Sequence, residues 1–240
     1  MTGKDERTSE TPWRAYLIGL EADRNPGLRL KAQLGCQRAR SEGKDLRYSP
    51  EHNETIRKRI VDIASLRFRR DGINAVGLAP LMQEAGLTHG TFYTHFKSKD
   101  DLVSATIAEL NRERLHAISD TLKKPDGFEA FLRAYLSEGH RDTFAAGCLN
   151  ASIVGEIARE SDKVRAIYTE GTSALVDVLA ACLERFSAAQ RRPAAIALLA
   201  MICGGIQSAR AVSDAASSKE ILDSTFSMAM MFALGTEAAR

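Results

Sequence analysis

Between Thr88 and Lys99 the chain reads THGTFYTHFKSK, a stretch holding three threonines, two histidines, a tyrosine and two lysines. No acid interrupts it, and its polar groups are hydrogen-bond donors and cations. Their chemistry suits an oxygen-rich, negatively charged surface, with base edges and phosphates as the groups to be bonded. At helical spacing Phe92 and Phe96 fall four apart and turn inward, which leaves His89, Thr91, Tyr93, Thr94 and His95 on the complementary face, followed by Lys97 and Lys99. Thr88 stands at the N-cap position, and Gly90 lacks a side chain at a point where backbone can approach a phosphate.

Elsewhere no comparable constellation is found. Cys36, Cys148, Cys182 and Cys203 are widely spaced without a CxxC pair, which argues against a metal cluster or a disulfide framework. There is no acid pair, no metal-spaced histidine set, no phosphate loop and no nucleophile beside a base, so neither catalysis nor a resident cofactor or metal is expected. Tyr135, His140, Phe144, Cys148 and Tyr168 are candidates for polar handles on an apolar pocket wall, although each also suits a plain core. Cys148 follows a glycine and opens a helix, where the positive end of the dipole favours negative charge, and is a candidate oxidant or electrophile sensor.

The elements that position these residues read as helices. Hydrophobic residues make up 44% of the 240 positions and charged ones 27%, an ordinary globular balance. The net charge of +2 hides an uneven distribution, since Glu54 to Lys99 carries eight basic residues against four acidic ones. A first helix is expected from about Asn53 to Asp71, with Ile56, Ile60, Ile63, Ala64, Leu66 and Phe68 inward, its Arg/Lys cluster outward and Asp71-Gly72 as its stop. A second follows from Leu78 to Ala85, starting after Gly77 with Pro80 tolerated in its first turn. A tight turn at Ala85-Gly86-Leu87 leads to a third from Thr88 to Phe96, and Leu81, Leu87 and Phe92 meet to set the crossing. A fourth begins at Ser98, capped with Asp101.

Further helices are expected from Pro125-Asp126 to about Phe144, from Leu149 to Arg159, after a Ser161 cap, and near Arg192 to Val212 and Ser218 to Leu234. The longest apolar stretch, Ala194 to Gly205, reads as a buried helix and no membrane is implied. Residues 1–50 show no sustained apolar period and no secretory pattern, so a cytoplasmic protein is expected. That segment is read as an early-annotated start, or as a basic arm whose Arg38, Arg40 and Arg47 reach a minor groove.

GLTHGTFYTHFKSK, with an arginine-rich helix before it and a long helix after it, resembles the end of the DNA-binding domain of the bacterial TetR family over about Glu54 to Leu110. The resemblance implies an all-α protein: an extension at 1–50, a three-helix helix-turn-helix domain at 51–110, and a helical ligand-binding and dimerisation domain at 111–240. It implies that His89, Gly90 and Thr91 open a recognition helix in the major groove, that Tyr93, His95 and Lys99 touch phosphates, and that Thr94 and Lys97 add contacts. The implied partners are a palindromic double-stranded DNA operator, a second copy of the chain and a small-molecule effector that releases the repressor. The alternative is a helical small-molecule-binding protein, or a thiol-based sensor acting through Cys148.

Overall fold

The computed structural model describes residues 50–145 and 147–235, which form ten α-helices and no strand. The expectations for the N-terminal extension lie outside the described residues. The first helix, α1 (Pro50–Asp71), buries Ile60, Ile63, Ala64 and Phe68 and stops at Gly72, whose φ of +89° ends the helix. Its basic cluster is not wholly outward. Arg69 is buried, donating from Nε to the Ser65 carbonyl at 2.9 Å and from Nη1 to the Gly147 carbonyl at 3.3 Å.

Two short helices follow, α2 (Leu78–Glu84) and α3 (His89–His95). The long α4 (Lys99–Leu122) is capped by Ser98, whose hydroxyl accepts from the Asp101 amide. The next expected helix is in fact two, α5 (Gly127–Tyr135) and α6 (Glu138–Asp142). Leu136 leaves helical geometry and Ser137 caps afresh, its Oγ accepting the His140 amide at 3.1 Å. Serine's competition for backbone donors breaks the run there.

Beyond them lie α7 (Leu149–Ile157), α8 (Asp162–Ala181), α9 (Ala188–Ala211) and α10 (Ala215–Leu234). α9 starts ahead of the expected Arg192, because Pro193 in its second turn forfeits one backbone donor without stopping the helix. By length and composition α9 is apolar enough to cross a membrane, yet Ala195, Leu198, Ile202 and Ile206 along it are fully buried against its neighbours.

The helices enclose two apolar cores. Ile60, Phe68, Leu81, Met82, Phe92, Leu102 and Ile107 form the first. Phe131, Leu132, Leu175, Leu179, Leu198, Ile202 and Leu222 belong to the second. α4 runs through both, giving Leu110 to the first and Ile118 to the second, so the expected border at residue 110 falls inside a continuous helix. α7 is shared as well: Leu149, Ile153 and Ile157 enter the first core, while Cys148 just before the helix and Ala151 within it enter the second.

Candidate nucleic-acid interface and the core behind it

α2 starts after Gly77, extended at φ −81°, ψ 149°, with no side-chain cap, and Pro80 in its first turn has no intrahelical donor to lose. Gly86 turns the chain at φ +65°, and the Leu87 amide returns to the Met82 carbonyl at 2.9 Å. A Cβ at Gly86 would stand 3.2 Å from Arg59 Nη2, so space as well as φ favours glycine. Leu81 and Phe92 are fully buried with Leu87 packed against them, which fixes the crossing of α2 and α3.

α3 is short and rigidly backed. Phe92 and Phe96 stack with ring centroids 5.6 Å apart, and both are buried. Thr88 caps the helix, Oγ accepting the Thr91 amide at 3.4 Å, and it shares a 2.8 Å hydrogen bond with the Thr91 hydroxyl. The Thr94 hydroxyl donates to the Thr91 carbonyl at 2.7 Å. These three hydroxyls are committed to the helix, whereas His89, Gly90 and Tyr93 face solvent. Tyr93 is 59% exposed and stands edge-on to His89 at 5.6 Å and to Phe92 at 5.2 Å, so its hydroxyl projects from a supported ring.

His95 is half-buried, and burial, with the Arg57 guanidinium beside it, lowers its pKa. It is therefore neutral at physiological pH and a hydrogen-bonding group rather than a cation. Lys97 is exposed and Lys99 half-buried at the start of α4. Asp101 secures this corner, accepting the Lys97 amide at 3.2 Å and pairing with Lys163 of α8 at 2.6 Å.

Sequence reasoning missed the brackets that hold α2 and α3. Arg57 lies over the Phe96 ring at 4.2 Å and donates to the His95 carbonyl at 2.7 Å, which fixes the end of α3. Arg67 joins α1 to α2 through Glu84 at 2.7 Å. Neither pairing has a local signal, since the partners lie 38 and 17 residues apart.

The pocket-wall candidates divide. Tyr135, His140 and Cys148 are buried together, Tyr168 is half-buried, and Phe144 is 46% exposed beneath the Arg210 guanidinium at 4.5 Å. His140 is fully bonded as a neutral ring: Nδ1 lies 2.6 Å from the Tyr135 carbonyl and Nε2 accepts the Cys148 amide at 2.9 Å. That pattern requires the proton on Nδ1, and burial pushes the pKa down to about 4. The Tyr135 hydroxyl meets Cys203 Sγ at 3.1 Å, and burial raises its pKa well above the ordinary value. Cys203, Arg114, Asn111 and Asn150 also belong to this polar cluster and were not expected there. An open cavity of about 230 Å³ lies to one side, lined by Arg141, Asp142, Phe144, Arg210, Asp214 and Ser218 among others. Among the described residues no three His, Cys, Asp or Glu side chains gather as metal ligands.

Residues 60–106 match the family described as bacterial regulatory proteins, tetR family. Among curated relatives, the HTH-type transcriptional regulator AcrR of Shigella flexneri is 34% identical over 58 residues, covering 24% of this chain and 27% of its own. The chain thus spans about a quarter of that relative's length. Two solved structures are similar over far more. The reduced form of NemR from E. coli has a TM-score of 0.63 at 20% identity, covering 73% of this chain and 95% of its own. A TetR-family regulator from Agrobacterium tumefaciens has a TM-score of 0.63 at 24% identity, covering 72% and 97%.

Proposed function

We propose that this chain, whose residues 60–106 match the tetR family of bacterial regulatory proteins, is a DNA-binding transcriptional regulator of the cytoplasm. It acts as a homodimer on a palindromic operator, and a small molecule bound in the second core releases it, so that bound protein represses. The observation that carries the reading is the outer face of α3. His89, Gly90 and Tyr93 are presented on a seven-residue helix that Phe92 and Phe96 clamp from behind. Such a helix fits a major groove, with its first residues on base edges and its later ones on phosphates.

Two-fold pairing doubles one short reading helix into a specific site. The last two helices suit that pairing. α9 and α10 are joined by a three-residue connection, and Gly205 lies close against Thr225, where a Cβ would stand 2.6 Å away. Ile196, Met228, Met231 and Leu234 remain exposed on this pair, with Ile196 at 52% and Met228 at 49%, an apolar surface a second copy can cover.

Fluorescence anisotropy with DNA from upstream of the gene, against shuffled DNA at several salt concentrations, tests the reading. Preference for the native sequence that weakens in His89→Ala and Tyr93→Phe supports it. Equal, strongly salt-dependent binding to both would reduce the interface to phosphate attraction, and no binding at low salt would overturn the proposal.

A further inference from the structure

The second core buries more positive charge than its own groups answer. Arg114 of α4 is 2% exposed, and a guanidinium keeps its charge wherever it sits. Its Nη1 donates to Asn150 Oδ1 at 2.7 Å and its Nη2 to Asn111 Oδ1 at 2.9 Å, both neutral amides. Its Nε is buried with no acceptor, and among the described residues no carboxylate pairs with it. The acids nearest to it stay protonated at neutral pH: burial raises the Tyr168 phenol, and the Cys203 thiol is pushed up to about 12. A second guanidinium, Arg210 of α9, approaches the cluster, donating to the carbonyls of His140, Arg141 and Ala151, with the Asp142 carboxylate acting on its charge.

A buried charge without a counterion is strongly destabilising, so a core that retains one is incomplete until an anion joins it. We propose that Arg114 anchors an effector site in the second core, taking the carboxylate of a small organic acid whose apolar body packs beside Tyr168. A carboxylate offers two coplanar acceptors to the guanidinium edge, and its single charge suits a site otherwise walled by apolar and neutral groups.

The inference rests on the regulator reading for what the anion controls. An acid that competes for the guanidinium acts on Asn150, the second residue of α7. At the far end of the same helix Glu156 Oε2 accepts the Asn74 amide at 3.0 Å, and Leu149, Ile153 and Ile157 sit in the first core beside the helix-turn-helix. Loss of the Asn150 contact therefore reaches the DNA-reading domain through one rigid element.

The test is thermal melting of the full chain with sodium benzoate and sodium hexanoate, against benzamide, hexanamide and sodium chloride at matched ionic strength, in the native protein, Arg114→Met and Arg114→Lys. The acids are expected to raise the native midpoint by at least about 2 °C at millimolar concentration while the amides do not. Titration calorimetry should show affinity falling about 10-fold or more in Arg114→Met, with Arg114→Lys between. Equal shifts by acids and amides, undiminished acid binding in both variants, or no acid shift in the native protein would each overturn the proposal. DNA binding is read separately by anisotropy. Acid binding without any DNA binding would remove the regulator reading and leave the anion site standing.

Discussion

His140 gives the fold a pH dependence whose size and sign follow from its bonds. Both ring nitrogens are used, Nδ1–H toward the Tyr135 carbonyl and Nε2 as acceptor of the Cys148 amide. A second proton would set an N–H against an N–H in the core. Burial, with the Arg210 guanidinium adding to it, lowers the pKa from 6.5 to about 4 on folding. A depressed folded pKa means that the unfolded chain binds more protons between those values, so stability is complete above pH 6.5 and declines as pH falls toward 4. At 1.36 kcal/mol per unit, the loss between pH 7.5 and pH 4.5 is about 2.5 kcal/mol. Urea unfolding of the native protein and His140→Gln at pH 7.5, 6.0, 5.0 and 4.5, at one protein concentration, isolates the contribution. The variant is less stable at pH 7.5, and the gap should close by about 2.5 kcal/mol at pH 4.5. His95, lowered in the same direction, is common to both proteins and cancels. Parallel pH profiles within about 0.5 kcal/mol would refute the neutral, doubly bonded ring.

Four further outcomes are expected. Tyr93→Phe should weaken operator binding about 10-fold, measured by anisotropy, with no change in melting temperature, because the residue is exposed and its hydroxyl bonds nothing among the described residues. Gly86→Ala should cost about 1–2 kcal/mol in urea unfolding, since the turn holds φ at +65° and an added Cβ meets Arg59. Met228→Glu should shift sedimentation velocity from dimer toward monomer and weaken binding to the full palindrome, because it places a charge on the exposed face of α10. Half-buried Cys203 should react with iodoacetamide at pH 8 more slowly than in the unfolded chain, its thiol being pushed up to about 12, and labelling as fast as in urea would count against that shift.

Legibility in the sequence tracks the range of the interactions. The helix-turn-helix rests on signals a few residues apart: a Ser or Thr ahead of each of two helices, a glycine in each of two stops, and Phe92 four from Phe96. Local caps and turns are decided by such neighbours, so α2, α3 and the start of α4 are found where their spacing predicts them. The break between α5 and α6 shows the limit. Ser137 is an ordinary helix residue by pattern, yet it accepts the His140 amide as a cap while the His140 ring turns inward to the Tyr135 carbonyl and the Cys148 amide. The outward basic stripe expected on α1 fails at Arg69 for a similar reason, its acceptor at Gly147 lying 78 residues away.

The chemistry of the second core is illegible for a deeper reason. Arg114 reads as one more exposed basic residue on a long helix, set among Arg112, Glu113 and His116. Only the packing of α4 against α8 and the start of α7 takes it out of water, bringing Asn150, Tyr168 and Cys203 to it beside Asn111 of its own helix. Only Asn111, three residues back on the same helix, follows from periodicity, because a period identifies the face that is buried but not what that face meets. The same packing gives α7 its double membership, with apolar residues in the core beneath the helix-turn-helix and Asn150 against the buried guanidinium. A nine-residue helix tied in this way cannot shift at Asn150 without moving Leu149 and Ile153 beside it, because close-packed cores transmit displacement rather than absorb it. The proposed coupling between the two halves thus pairs a polar contact in one core with an apolar one in the other, both on α7, whose sequence reveals only that it is a helix.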